Sequence, residues 1–134
     1  MKARGIHHVG VAVDDLDRAL ETYVGVLGGT VEYRDALAEQ GVEAAAVLVG
    51  RDRVELLAAT GDDTPVGRFL AKRGPGLHHV AYTVDDVADA LRQLSADGLE
   101  LIDEAPRHGL FGLEVAFVHP DAVHGVLTEV VSPA

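Results

Sequence analysis

Ile6-His7-His8-Val9-Gly10-Val11-Ala12-Val13-Asp14-Asp15-Leu16 returns 71 residues later (79 − 8 = 71) as Leu77-His78-His79-Val80-Ala81-Tyr82-Thr83-Val84-Asp85-Asp86-Val87. Each copy runs on into a helical pattern, ending in Ala19-Leu20 and Ala90-Leu91. An internal repeat fixes the architecture before any single element is assigned. Both copies alternate as half-buried strands do. In the first, His7, Val9, Val11 and Val13 make a bulky apolar face, and His8, Gly10 and Ala12 a small one. In the second, Val80, Tyr82 and Val84 are bulky, while His79, Ala81 and Thr83 are smaller. The bulky face is expected to lie beneath a helix and the small face to leave room for a ligand. His8 and His79 are therefore expected to face a cleft, and His7 and His78 the core or an edge.

Outward from these strands, Asp14 or Asp15 is a plausible cap for a helix over about 15–27, stopped by Gly28-Gly29. Strands are predicted over Thr30 to Leu37, Gly41 to Val49 and Val54 to Ala59, with a turn at Gly50-Arg51-Asp52. Between the copies, Thr64 as cap and Pro65 at the first helical position open a short helix, which Gly74-Pro75-Gly76 closes. The second copy repeats the order. A strand covers Leu77 to Val84, a helix about 86–96 is stopped by Gly98, and a strand covers Leu99 to Ile102. A loop from Glu104 to Gly112 leads to strands over Leu113 to Val118 and Gly125 to Val131.

The chain has 134 residues and a hydrophobic share of 48%, which suits one domain with a sizeable core. A module of roughly 60 residues is marginal alone, so the halves are expected to fold together. A formal charge of −11 argues against a nucleic-acid or anionic-membrane partner. Absence of cysteine removes disulfides and thiolate metal sites. No apolar run reaches signal-peptide or membrane-span length, so a soluble cytoplasmic protein is expected.

Two cleft-facing imidazoles suggest a metal, and in a cysteine-free chain carboxylates are the natural further ligands. The last strand of each copy carries one Glu between apolar neighbours, in Arg53-Val54-Glu55-Leu56-Leu57 and in Val126-Leu127-Thr128-Glu129-Val130-Val131. An ionised Glu there is costly to bury unpaired, and coordination removes that cost. His119, His124 and His108 carry weaker signals. Arg68, Lys72, Arg73 and Arg107 are the obvious cationic anchors for phosphates.

The paired modules and the His/Glu/His/Glu order resemble the vicinal-oxygen-chelate (glyoxalase/bleomycin-resistance) superfamily, and within it the methylmalonyl-CoA epimerases. The resemblance covers nearly the whole length. Its most specific stretches are Leu101-Ile102-Asp103-Glu104-Ala105-Pro106-Arg107, and His119-Pro120 followed by His124-Gly125-Val126-Leu127-Thr128-Glu129. It implies a divalent metal held by His8, Glu55, His79 and Glu129, with cobalt favoured over manganese, nickel or zinc. Two positions would remain for the carboxylate and thioester oxygens of an acyl-CoA substrate, a 2-substituted malonyl thioester. The implied reaction is removal of the C2 proton to give an enolate, and return of the proton on the other face, with Glu129 as one acid/base. In some of these epimerases a second glutamate lies three residues after the Gly of Gln40-Gly41-Val42. Here that position is Ala44, and Glu43 stands one residue earlier. A one-residue offset on a strand points to the opposite face, so Glu43 is a candidate second catalytic group only if a bulge intervenes. Glu39 or a bound water are alternatives.

The expected fold is α+β, with two tandem βαβββ modules forming a curved, barrel-like mixed sheet around a metal cleft. It makes one domain over residues 1–134: a first module at about 5–60, a linker helix at about 61–76 and a second module at about 77–132. A homodimer is expected, because many short strands leave edges to cover. The rival readings are a glyoxalase-type lyase, an iron dioxygenase and a metal-free ligand-sequestering protein.

Overall fold

The computed structural model describes residues 1–133, so Ala134, the last residue of the expected domain, lies outside them. The first module contains strand β1 (Gly5–Ala12), helix α1 (Leu16–Leu20), and strands β2 (Thr30–Leu37), β3 (Val42–Val49) and β4 (Asp52–Ala59). Helix α2 (Pro65–Arg73) follows. The second module contains β5 (Gly76–Thr83), α3 (Val87–Ala96), β6 (Arg107–His108), β7 (Leu113–Val118) and β8 (Thr128–Pro133). The repeated βαβββ order is thus present.

These elements divide into two compact units, one of residues 8–78 and the other of 1–7 with 79 onward. The N-terminal residues join the second unit because the Arg4 N–H donates to the Thr83 carbonyl at 2.8 Å and the Arg4 guanidinium grips Asp85 at 2.7 Å. In the first unit the strands run in the order β2-β3-β4-β1, with β1 and β4 parallel and the other neighbours antiparallel. In the second the order is β5-β8-β7-β6, again with a single parallel pair, β5 and β8.

One face of each sheet is covered by its own helix. In the first unit Val13, Leu16, Ala45, Val47, Leu56 and Ala58 form the core, with Val11 packed against it. In the second, Val84, Val87, Ala90, Leu91, Ala116 and Val130 do the same. Complete burial of a side chain such as Leu56 contributes about 1.5–3 kcal/mol. The helix starts are matched too. The Asp15 carboxylate accepts from the Arg18 N–H at 3.1 Å, and the Asp86 carboxylate from the Asp89 N–H at 2.9 Å. Each satisfies a backbone donor that the first helical turn leaves open. Thr64 caps α2 in the same way, accepting from the Gly67 N–H at 3.0 Å, with Pro65 as the first helical residue.

Three sequence expectations need correction. The helix expected over 15–27 is α-helical only to Leu20 and widens to a π-helix over Glu21–Val26, where the Leu27 N–H reaches the Thr22 carbonyl. Val24, Gly25 and Val26 are poor helix formers. The strand expected over Leu99 to Ile102 is reduced to one bridge, Leu101 to Val118. Beyond it the Asp103 carboxylate accepts the Phe117 N–H at 2.9 Å, taking the place of a strand partner. Pairing resumes at Arg107 and His108, inside the segment expected to be a loop. The last strand starts at Thr128 rather than Gly125, because His124 and Gly125 both adopt positive φ in a turn. Among the described residues no helix is long and apolar enough to cross a membrane.

Candidate metal centre

The face of each sheet opposite its helix carries a histidine and a glutamate. In β1 and β4, Gly10 is the register partner of Glu55, and His8 lies two residues before Gly10 on the same face. In β5 and β8, Ala81 is the partner of Glu129, and His79 lies two residues before Ala81. The alternation read from the sequence is therefore reproduced: the bulky residues Val11, Val13 and Val84 go to the helix side, and the histidines go to the other.

All four side chains are buried, with His8 2%, Glu55 7%, His79 4% and Glu129 6% exposed. The His8 Nε2 lies 3.6 Å from a Glu55 carboxylate oxygen. In the second unit the His79 Nε2 lies 3.5 Å from a Glu129 oxygen. These separations are long for a hydrogen bond. They are close to the spacing of two ligands of one ion: bonds of roughly 2.0–2.2 Å set at ordinary coordination angles hold neighbouring ligand atoms about 3.0–3.5 Å apart. A buried imidazole paired with a buried carboxylate, twice over, is a donor set suited to a first-row divalent metal. In the first unit the neighbours on this face are small, with Gly10 and Ala12 beside His8 and Ala44 and Ala46 on β3 across from β4. In the second unit Phe117, the register partner of Glu129, sets its ring edge-on to His79 at 5.6 Å and 86°. That contact fixes the imidazole plane. The Arg107 guanidinium lies over the Phe117 ring, 5.8 Å from its centre, and 3.3 Å from Asp103.

Glu43 is elsewhere. The register of β3 against β4 is continuous, pairing Ala44 with Leu57, Ala45 with Leu56 and Ala46 with Glu55. No bulge intervenes in β3, so Glu43 shares the helix-covered face with Ala45 and Val47. Arg34 holds it there at 2.7 and 3.0 Å while also gripping Asp17 of α1 at 2.7 Å. The candidate role of Glu43 as second acid/base is therefore withdrawn. The position the resemblance singles out, Ala44, is fully buried and carries no titratable group. Glu39 lies exposed in the turn before β3.

Several of the remaining candidates have structural partners. His78 packs edge-on to Phe69 at 4.9 Å, and Arg73 lies over the same ring at 5.7 Å. His119 accepts the Asp121 N–H at 3.1 Å, capping a short helical turn. His124 and His108 are exposed. Arg68 pairs with Asp63 at 3.0 Å.

Residues 7–117 match the model of the glyoxalase/bleomycin resistance protein/dioxygenase superfamily. The methylmalonyl-CoA epimerase of Bos taurus is 38% identical over 125 residues, covering 92% of this chain and 71% of that protein. The ethylmalonyl-CoA/methylmalonyl-CoA epimerase of Cereibacter sphaeroides is 32% identical over 126 residues, covering 92% and 94%. A solved structure of a methylmalonyl-CoA epimerase in complex with methylmalonyl-CoA and ammonium superposes with a TM-score of 0.95 at 35% identity, over 99% of this chain and 96% of that one. The α+β fold expected from the repeat is the fold of that structure.

Proposed function

Because the chain belongs to the glyoxalase/bleomycin resistance protein/dioxygenase superfamily, we propose that it is an epimerase interconverting the C2 epimers of methylmalonyl-CoA or a closely related 2-substituted malonyl thioester. The observation that carries this reading is the pair of His–Glu sets in matching register, in a chain whose relatives along most of its length are named as such epimerases. His8, His79 and Glu129, each buried, supply donors of the kind that hold a metal ion. In this proposal they and Glu55 hold one divalent cation, cobalt in preference to manganese, nickel or zinc. A divalent cation bound there supplies Lewis-acid stabilisation of the negative charge that builds on a thioester oxygen when C2 loses its proton.

The chain's own residues do the rest. Glu129 takes the C2 proton from one face, and a bound water on the opposite face, in place of the withdrawn Glu43, returns a proton to C2 with inversion. The small residues Gly10, Ala12, Ala44 and Ala46 leave space for the acyl group, while Lys72 and Arg73 at the end of α2 and Arg107 are the cations offered to coenzyme A phosphates. Cytoplasmic location and homodimeric assembly belong to the same proposal, and light scattering at twice the chain mass is the expected reading for the dimer.

The test is deuterium incorporation at C2 of methylmalonyl-CoA in heavy water. A protonated Glu129 exchanges with solvent, so label is expected to enter C2 with metal present and to stop with a chelator. Incorporation no faster than in buffer removes the epimerase reading and leaves the glyoxalase-type lyase or the metal-free binding protein of the same superfamily.

A further inference from the structure

Strand β2 contains one residue too many. Its register against β3 pairs Thr30 with Leu48 and Val31 with Val47, then skips Glu32 and resumes with Tyr33 opposite Ala46. A regular strand would leave Tyr33 on the face of Val31, beneath α1. The extra residue turns it over, as a bulge does wherever it re-aims a side chain. Tyr33, Ala46, Glu55 and Gly10 then form one row across four strands on the face that carries the His8–Glu55 pair. At a strand spacing of about 4.8 Å, the Tyr33 and Glu55 backbones are about 10 Å apart. Only the methyl group of Ala46 rises between them, so two long side chains can meet above it.

The bulge is pinned. Glu32, the extra residue, receives two hydrogen bonds from the Arg53 guanidinium at 2.7 and 3.0 Å, and Arg53 stands two residues before Glu55 on β4. Tyr33 is half-buried, and burial raises its phenol above the ordinary value, with the Glu32 and Glu55 carboxylates raising it further and Arg53 opposing them. A phenol is a neutral O–H donor at neutral pH, and an ionised carboxylate is an acceptor only.

Resting on the metal reading above, we propose that Tyr33 is a positioning residue: its phenol O–H donates to the Glu55 carboxylate and fixes the oxygen that Glu55 presents to the ion. Partners of this kind orient metal ligands, and their removal commonly weakens metal binding about 10- to 100-fold. Neither composition nor alternation reveals this role, because strict alternation assigns Tyr33 to the wrong face.

The test uses purified full-length protein with cobalt as the probe, in Tyr33→Phe and Glu55→Ala. Cobalt affinity is read by chelator competition, the ligand field by the visible absorption of the cobalt-loaded form, and stability by melting of the metal-free form. Tyr33→Phe is expected to bind cobalt about 10- to 100-fold more weakly with an altered cobalt spectrum and an unchanged metal-free melting temperature. Parental affinity and spectrum in Tyr33→Phe, with weak binding in Glu55→Ala, overturn the role of Tyr33 and leave the metal reading standing. Parental affinity in Glu55→Ala overturns the metal reading itself. A fall in metal-free melting temperature with affinity unchanged makes Tyr33 merely structural and overturns the proposal.

Discussion

Glu129→Gln is expected to slow C2 proton exchange by about 10²- to 10⁴-fold, the usual worth of a positioned acid/base group, and to weaken metal binding as well. The amide keeps the size of the carboxylate but neither its charge nor its capacity to take a proton. Glu129 is 6% exposed, between its register partners Ala81 and Phe117, so the near-isosteric change leaves the packing of β8 in place. The control is Glu43→Gln. Glu43 is held by Arg34 on the helix-covered face, and an exposed, solvent-screened pair of this kind contributes little to stability. Exchange in that variant is expected to match the parent. Steady-state exchange rates and metal titrations on the two proteins decide the matter; equal loss in both contradicts the assignment of faces.

The second large effect is on stability. A ligand that binds only the folded chain stabilises it by about 4.1 kcal/mol at a free concentration 1,000 times its dissociation constant. At this chain length about 1 kcal/mol shifts the melting temperature by about 4 °C, so saturating cobalt is expected to raise it by about 15 °C. Two observations favour a response of this size: both carboxylates and both imidazoles are already buried, and a buried charge is costly until a partner of opposite sign compensates it. Differential scanning calorimetry with and without cobalt, followed by chelator reversal, measures it. A shift of less than a degree contradicts a resident ion held by these groups.

Much of this was legible in the sequence because strand alternation and register convert directly into faces. The repeated His-His and the matched Asp15 and Asp86 caps share a spacing of 71 (86 − 15), and the two isolated glutamates recur at a spacing of 74 (129 − 55). The same rule places Glu43 away from the site once β3 runs without a bulge. What the pattern hides are events that break it. The Asp103 carboxylate takes the Phe117 N–H and ends a strand that hydropathy alone would continue. The insertion at Glu32 reverses the face of Tyr33, and nothing in the local composition announces it. The edge-on seat of Phe117 on His79 joins residues far apart in the chain, so only the register of β7 with β8 reveals it.

The central proposal is that the chain binds one divalent cation through His8, Glu55, His79 and Glu129. Elemental analysis of the purified protein, the parent beside His8→Ala and His79→Ala, measures this directly. One divalent ion per chain in the parent, and loss of that ion in each variant, is the expected result. Two ions per chain, or an ion that survives removal of either imidazole, contradicts it.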